Sequence, residues 1–218
     1  MSKKVAVVLS GCGVFDGAEI YESVFTLLRL NEAGARIEAF APDIKQLHVV
    51  NHLSGEVAKG ETRNVLVEAA RIMRGDIQPL SEAKAEDFDA LIVPGGFGAA
   101  KNLCDFAVNG VGLQVNEEFL AFAKRFHEAG KPIGLICISP VMAAAICGAG
   151  VKCTIGRDLD TAKAIAELGG DHQDCGAREF TYDENNKLAT TPAYMLAENM
   201  IEAKEGIDKL VDKILEVA

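Results

Sequence analysis

The chain has 218 residues, with 22 Lys and Arg against 32 Asp and Glu and a formal net charge of −10. That length fits one domain at the usual size of roughly 100–200 residues, so a single domain over residues 1–218 is expected. The acidic balance argues against nucleic acid and anionic membranes as partners, because both require a positive face, and no apolar run reaches the roughly 18 residues of a membrane span.

Lys4 to Leu9 is a continuous apolar run after Lys4, the pattern of a parallel strand covered on both faces. The Gly-rich turn Ser10-Gly11-Cys12-Gly13-Val14-Phe15-Asp16-Gly17 follows. Residues 18–33 read as a helix with Ile20, Val24, Leu27 and Leu28 on its core stripe and Gly34 as its stop. Residues 36–41 return as a strand, which completes a βαβ unit.

The stretch 43–63 breaks the pattern, with a short strand expected over 46–52. A helix is expected over 62–73 and a third core strand over 88–93, ending in Pro94-Gly95-Gly96-Phe97-Gly98. An amphipathic helix over 114–129 leads to a fourth strand, 133–136. A short helix over 140–147, a strand over 151–155 and a helix over 161–168 come next. Residues 179–191 read as a hairpin, and a helix closes the chain from about 195 to 217. Alternation of strands and helices implies an α/β fold with a mostly parallel sheet.

Ligands of such sheets bind beyond the carboxyl ends of the strands. Two Gly-rich turns and Cys137-Ile138-Ser139-Pro140 all fall there. Strand residues deliver Cys137 to a sharp turn, with Ser139 as candidate N-cap and Pro140 at the first helical position. This is the layout of a nucleophile elbow, although Leu135 departs from its small-residue pattern. Helix-start N–H groups are expected to lower the thiol pKa; the alternative is a buried core cysteine. Gly95 and Gly96 are the candidate oxyanion-binding turn. The first turn holds G-x-G without a third glycine in register, so it is a poor dinucleotide fingerprint.

None of the six cysteines is paired at C-x-x-C spacing, and the chain has only four histidines. No zinc site is therefore expected. The N-terminal apolar stretch is too short for a signal peptide, so a reducing, cytoplasmic setting without disulfides is expected. Cys12 and Cys137 fall at the sheet edge; Cys104, Cys147, Cys153 and Cys175 read as structural. His48, His52, His127 and His172 are poorly placed as partners of Cys137, with His52 and His172 slightly ahead. On a helical wheel, Glu19 and Glu22 lie off the apolar stripe and read as exposed.

Glu19-Ile20-Tyr21-Glu22-Ser23-Val24, Val93-Pro94-Gly95-Gly96 and Gly134-Leu135-Ile136-Cys137 resemble the class I glutamine amidotransferase-like (PfpI) superfamily. The longer strings Ser10 to Gly17, Asn51-His52-Leu53-Ser54-Gly55-Glu56, Glu61 to Leu66, Gly95 to Leu103 and Thr190 to Ala197 are similar to the bacterial ElbB (enhancing-lycopene-biosynthesis) family and its mitochondrial relatives. This resemblance covers nearly the whole chain. It implies a flavodoxin-like three-layer sandwich, Cys137 as nucleophile, Glu22 as the carboxylate touching it, and oxyanion-holding amides at Gly96 and Ile138. It also implies a homodimer and a link to isoprenoid biosynthesis. It supplies no triad histidine, because Lys152 to Asp158 contains none. The activity implied is a cofactor-independent glyoxalase acting on a small aldehyde, glyoxal or methylglyoxal, through a cysteine hemithioacetal. A redox-sensing or interaction protein with an oxidisable Cys137, and a cysteine hydrolase or amidase, are the alternatives.

Overall fold

The computed structural model describes residues 2–218. The first strand, β1 (Lys4–Val8), leads through the Gly-rich turn into α1 (Ile20–Glu32) and β2 (Arg36–Ala41). A small hairpin follows, β3 (Val50–Asn51) with β4 (Glu56–Val57), then α2 (Val65–Ala69), β5 (Gln78–Pro79) and β6 (Ala90–Val93). The helices α3 (Phe106–Asn109) and α4 (Glu117–Glu128) precede β7 (Ile133–Ile136) and α5 (Ala143–Cys147). The rest comprises β8 (Lys152–Cys153), α6 (Leu159–Glu167), β9 (Asp171–His172), β10 (Thr181–Asp183), β11 (Leu188–Thr191) and α7 (Met200–Val217).

Seven strands form the central sheet in the order β10-β11-β7-β6-β1-β2-β5. All neighbours run parallel except the β10–β11 hairpin. The sheet is buried on both faces, and alternate residues of one strand serve opposite cores. Ala6 and Val8 pack with Phe119, Phe126 and Ile146 of α4 and α5. Val5, Val7 and Leu9 pack with Phe25 and Leu30 of α1 and with Ile207, Leu210 and Ile214 of α7. Helices thus cover both faces, giving the three-layer α/β architecture of a flavodoxin-like fold. The chain leaves β1 toward β2 and later returns to β6 on its other side, so the sheet has its switch point between β1 and β6. Ligand sites of open α/β sheets form there, beyond the strand ends.

The main departures concern short elements. The strand expected over 151–155 is β8, which pairs only with β9 in a separate two-stranded sheet. The helix expected over 62–73 is limited to Val65–Ala69, started by the Asn64 side chain accepting from Val67 N. β5 and a π-helical turn over Ala99–Leu103 had no periodic signal.

Of the stripe expected on α1, Leu27 packs against the core, but the other three positions face outward. Ile20, Val24 and Leu28 are 42%, 44% and 42% exposed, whereas Glu22, Ser23, Phe25, Thr26 and Leu30 are buried. Hydroxyls make the polar inner face tolerable: Ser23 Oγ donates to the Glu19 carbonyl (2.7 Å) and Thr26 Oγ1 to the Glu22 carbonyl (2.8 Å). Each buried donor is thereby satisfied within its own helix.

Close packing of α7 on the hairpin region sets one clear sign. Helix propensity alone favours Ala over Gly in a helix interior by about 1 kcal/mol. A Cβ on Gly206, however, would lie 2.5 Å from the Ala177 carbonyl and 2.7 Å from Thr191 Oγ1. Gly206→Ala is therefore expected to destabilise the fold by about 1–3 kcal/mol, read as a lowered Tm; an unchanged or raised Tm contradicts this packing.

Candidate active site

The elbow is built as its sequence implies, with one residue in an unusual conformation. Cys137 has φ +63, the left-handed region that a non-glycine residue adopts at a cost of about 1–3 kcal/mol. Its N–H donates to the Thr191 carbonyl at 2.9 Å, which carries the β7–β11 ladder one residue past β7. Ser139 does not cap a helix. Its Oγ donates instead to the Pro94 carbonyl at 3.0 Å, tying the elbow to the turn after β6.

Glu22 projects from the first turn of α1 and is fully buried. The expectation of an exposed carboxylate from the helical wheel is thus corrected. Oε2 accepts from Gly95 N at 2.9 Å and Oε1 from Tyr194 N at 3.2 Å. The carboxyl also lies beside Cys137, both flanking Gly95, and its charge raises the thiol pKa. Burial, and then the charge of Glu19, push the Glu22 pKa up to about 8.

Glu19 is the second carboxyl of the site, also buried, and sequence reasoning missed its part. It is the N-cap of α1, with Oε2 accepting from Glu22 N at 2.7 Å. Its position just before the helix start was the available signal, since an acceptor there satisfies otherwise orphaned helix N–H groups.

The backbone around Cys137 is equally specific. The N–H groups of Gly96 and Ile138 lie beside the Cys137 sulfur and favour its anion. Gly95, expected to share the oxyanion role, has committed its N–H to Glu22, and its carbonyl accepts from Glu19 N at 3.0 Å. What Gly95 contributes is the absence of a side chain, because a Cβ would lie 2.4 Å from Cys137 Cβ and 2.8 Å from Glu22 Oε2. Gly96 has φ +89 and abuts Glu19 N, so a side chain is excluded there as well.

The expected low thiol pKa is also corrected. Burial, followed by the neighbouring Glu22, pushes Cys137 well above the ordinary thiol range, against the two N–H groups that favour thiolate. The helix following the elbow is too short to offset this: a 3-10 turn over Ser139–Met142 and then the five residues of α5. Cys137 and Glu22 therefore both hold their protons at neutral pH.

Cys137 opens onto a cavity of about 300 Å³, which Glu19, Gly96, Ile138 and Tyr194 also line. None of the four histidines lines it. His52 Nε2 accepts from Phe15 N at 3.2 Å, and His172 Nε2 accepts from Ile155 N at 3.3 Å. Both act as braces of loops. Asn102 is a further brace, its Nδ2 donating to the carbonyls of Ser10 (2.9 Å) and Asp16 (3.0 Å). All six cysteines are free. Among the described residues, no group of three His, Cys, Asp or Glu side chains is placed to hold a metal ion.

Comparison with known proteins bears on the family and the fold. The DJ-1/PfpI family profile matches residues 3–185. The human "glutamine amidotransferase-like class 1 domain-containing protein 3, mitochondrial" is 47% identical, the match covering 98% of this chain and 83% of that protein. The crystal structure of an Ehrlichia chaffeensis isoprenoid biosynthesis protein with an amidotransferase-like domain superposes with a TM-score of 0.92. It is 36% identical and covers 99% of both chains. A Thermococcus kodakarensis protein named a deglycase is 26% identical over 57% of each chain. The mitochondrial name of the human relative overturns the cytoplasmic setting expected from the first residues. Compartment is addressed by segments read apart from the fold, so composition and core packing carry no information on it.

Burial of the pair gives a direct expectation. Alkylation of Cys137 by iodoacetamide is slow at pH 7 and rises only above the pH range of an ordinary thiol. Glu19→Gln removes the charge that helps to hold Glu22 up and moves the Glu22 titration to lower pH. Site-resolved mass spectrometry measures the first and carboxyl carbon NMR the second; an unmoved Glu22 titration in Glu19→Gln contradicts the electrostatic role of Glu19.

Proposed function

The chain belongs to the DJ-1/PfpI family, and from that premise we propose that it is a cofactor-independent glyoxalase, converting 2-oxoaldehydes to 2-hydroxy acids. The observation that carries the reading is the buried pair of Cys137 and Glu22, with the Gly96 and Ile138 N–H groups beside the same sulfur.

In the fraction of molecules whose Glu22 is ionised, the sulfur adds to the aldehyde carbon as its proton passes to that carboxylate, giving a hemithioacetal. The oxygen that gains charge lies against the Gly96 and Ile138 amides, which need no reorganisation to receive it. Glu22 gives its proton to that oxygen and then, as carboxylate, removes the hydrogen from the former aldehyde carbon. Return of this proton to the adjacent carbon, with the hemithioacetal hydroxyl proton passing to the neighbouring carbonyl oxygen, leaves a 2-hydroxy thioester. Water hydrolyses the thioester to the hydroxy acid and restores the thiol. The sum is one 2-oxoaldehyde plus one water to one 2-hydroxy acid, without oxidant or reductant. A carboxyl titrating near 8 suits both halves of this proton traffic near neutral pH.

The rival readings have less support. An amide hydrolase needs a base paired with the thiol, and no histidine lines the cavity. A redox sensor needs an accessible thiol of low pKa, whereas Cys137 is buried and shifted upward.

The exposed apolar stripe of α1, Ile20, Tyr21, Val24 and Leu28, supports the homodimer implied by family resemblance, with a second copy of the chain covering it. Val24→Glu is expected to convert a dimer to a monomer in sedimentation velocity; a wild-type monomer overturns this assembly.

For the chemistry, wild type is expected to convert glyoxal to glycolate. Cys137→Ser should abolish turnover, and Glu22→Gln should lower it by about 10²–10⁴-fold. Equal rates in all three proteins would sink the assignment.

A further inference from the structure

The cavity above Cys137 has walls of one chemical kind. Val14 from the Gly-rich turn, Phe97 and Ala100 from the turn after β6, Phe106 and Ala107 from α3, and Met195 after β11 surround it. Its polar side chains are the carboxyl of Glu19 and the hydroxyls of Thr161 and Tyr194, besides Cys137 itself. No Lys, Arg or His lines it. Lys101 lies behind the wall, with Nζ donating to the Phe15 carbonyl at 2.8 Å and sitting 5.2 Å from the Phe97 ring centroid. That cation is held outside the lining and is already partnered.

Two consequences follow from this composition. About 300 Å³ is the lower end of the range for cavities that enclose small organic ligands, and it exceeds what a two- or three-carbon aldehyde fills. A carboxylate or phosphate on the substrate would have to enter an apolar space beside Glu19, without a counter-charge. We propose that the site selects 2-oxoaldehydes bearing an uncharged apolar substituent, alkyl or aryl, seated against Phe97, Phe106 and Met195, over glyoxal and over anionic aldehydes. This rests on the glyoxalase reading for its chemistry and on the cavity walls for its selectivity.

The test is a series of substrates: glyoxal, methylglyoxal, 2-oxobutanal, 2-oxopentanal, phenylglyoxal and 4-carboxyphenylglyoxal. Burial of one methylene corresponds to about fourfold in kcat/KM. Rates should therefore climb about fourfold per added carbon until the cavity is filled. Phenylglyoxal should exceed its carboxylated analogue at least tenfold. Ala107→Arg, an exposed wall position, should narrow that last ratio by supplying a cation. A flat or falling series with glyoxal turnover intact and dependent on Cys137 overturns the apolar selectivity and leaves the glyoxalase reading standing.

A second series separates the two without turnover. Cys137 alkylation by iodoacetamide, N-butyl-iodoacetamide, N-benzyl-iodoacetamide and iodoacetate is measured by mass spectrometry, each rate divided by that of glutathione with the same reagent. The apolar reagents should gain and iodoacetate should lose. If no aldehyde is turned over but this order is found, the glyoxalase reading fails and the apolar selectivity of the cavity stands. If this order is also absent, both fail.

Discussion

One buried carboxyl holds the working end of this fold together. Glu22 takes hydrogen bonds from Gly95 after β6 and Tyr194 after β11, and it neighbours the thiol of Cys137 after β7. Three segments remote in sequence thus meet on one side chain carried by α1. A carboxylate taken out of water without partners is costly by several kcal/mol. Here two N–H donors offset part of that cost, and the remainder is expressed as proton retention, with a pKa near 8. The surrounding backbone is fitted to this arrangement. Gly95 gives up any side chain so that Glu22 and Cys137 can approach, and Gly96 adopts positive φ beside Glu19. Disturbing Glu22 would disturb the registration of three strand ends, in addition to any chemistry it performs.

The same clamp explains what the sequence did and did not disclose. The long core strands were legible because continuous apolar runs over 4–9, 88–93 and 133–136 have no alternative burial. The elbow was legible because Cys137 falls at a strand end followed by proline. The polar inner face of α1 was not, because wheel reasoning assigns carboxylates and hydroxyls to water. Ser23 and Thr26 are buried only because each finds a carbonyl one turn back, and Glu22 only because two remote amides reach it. Those two amides follow β6 and β11 and are invisible in a window of eighteen residues. Family resemblance located Glu22 where periodicity misplaced it. It gave no comparable guide to Glu19, whose capping role depends on a local backbone turn. The Gly95 assignment failed for a related reason: a glycine in a turn signals missing bulk, and cannot say where its N–H points.

Burial of the pair also bears on the kind of chemistry the site favours. A low-dielectric pocket raises the cost of any charge, so the resting thiol and carboxyl stay neutral. It also strengthens every interaction aimed at charge that develops during reaction. On the proposed reading, the amides of Gly96 and Ile138 act little on a neutral thiol and strongly on an anion, whether sulfur or a new oxyanion. A site of this design loses little by being apolar, provided that its substrate is neutral and becomes charged only when bonded to Cys137. Uncharged carbonyl compounds satisfy that condition, and anionic ones do not. The walls of the cavity and the raised pKa values are therefore two expressions of one constraint, the exclusion of water from the elbow.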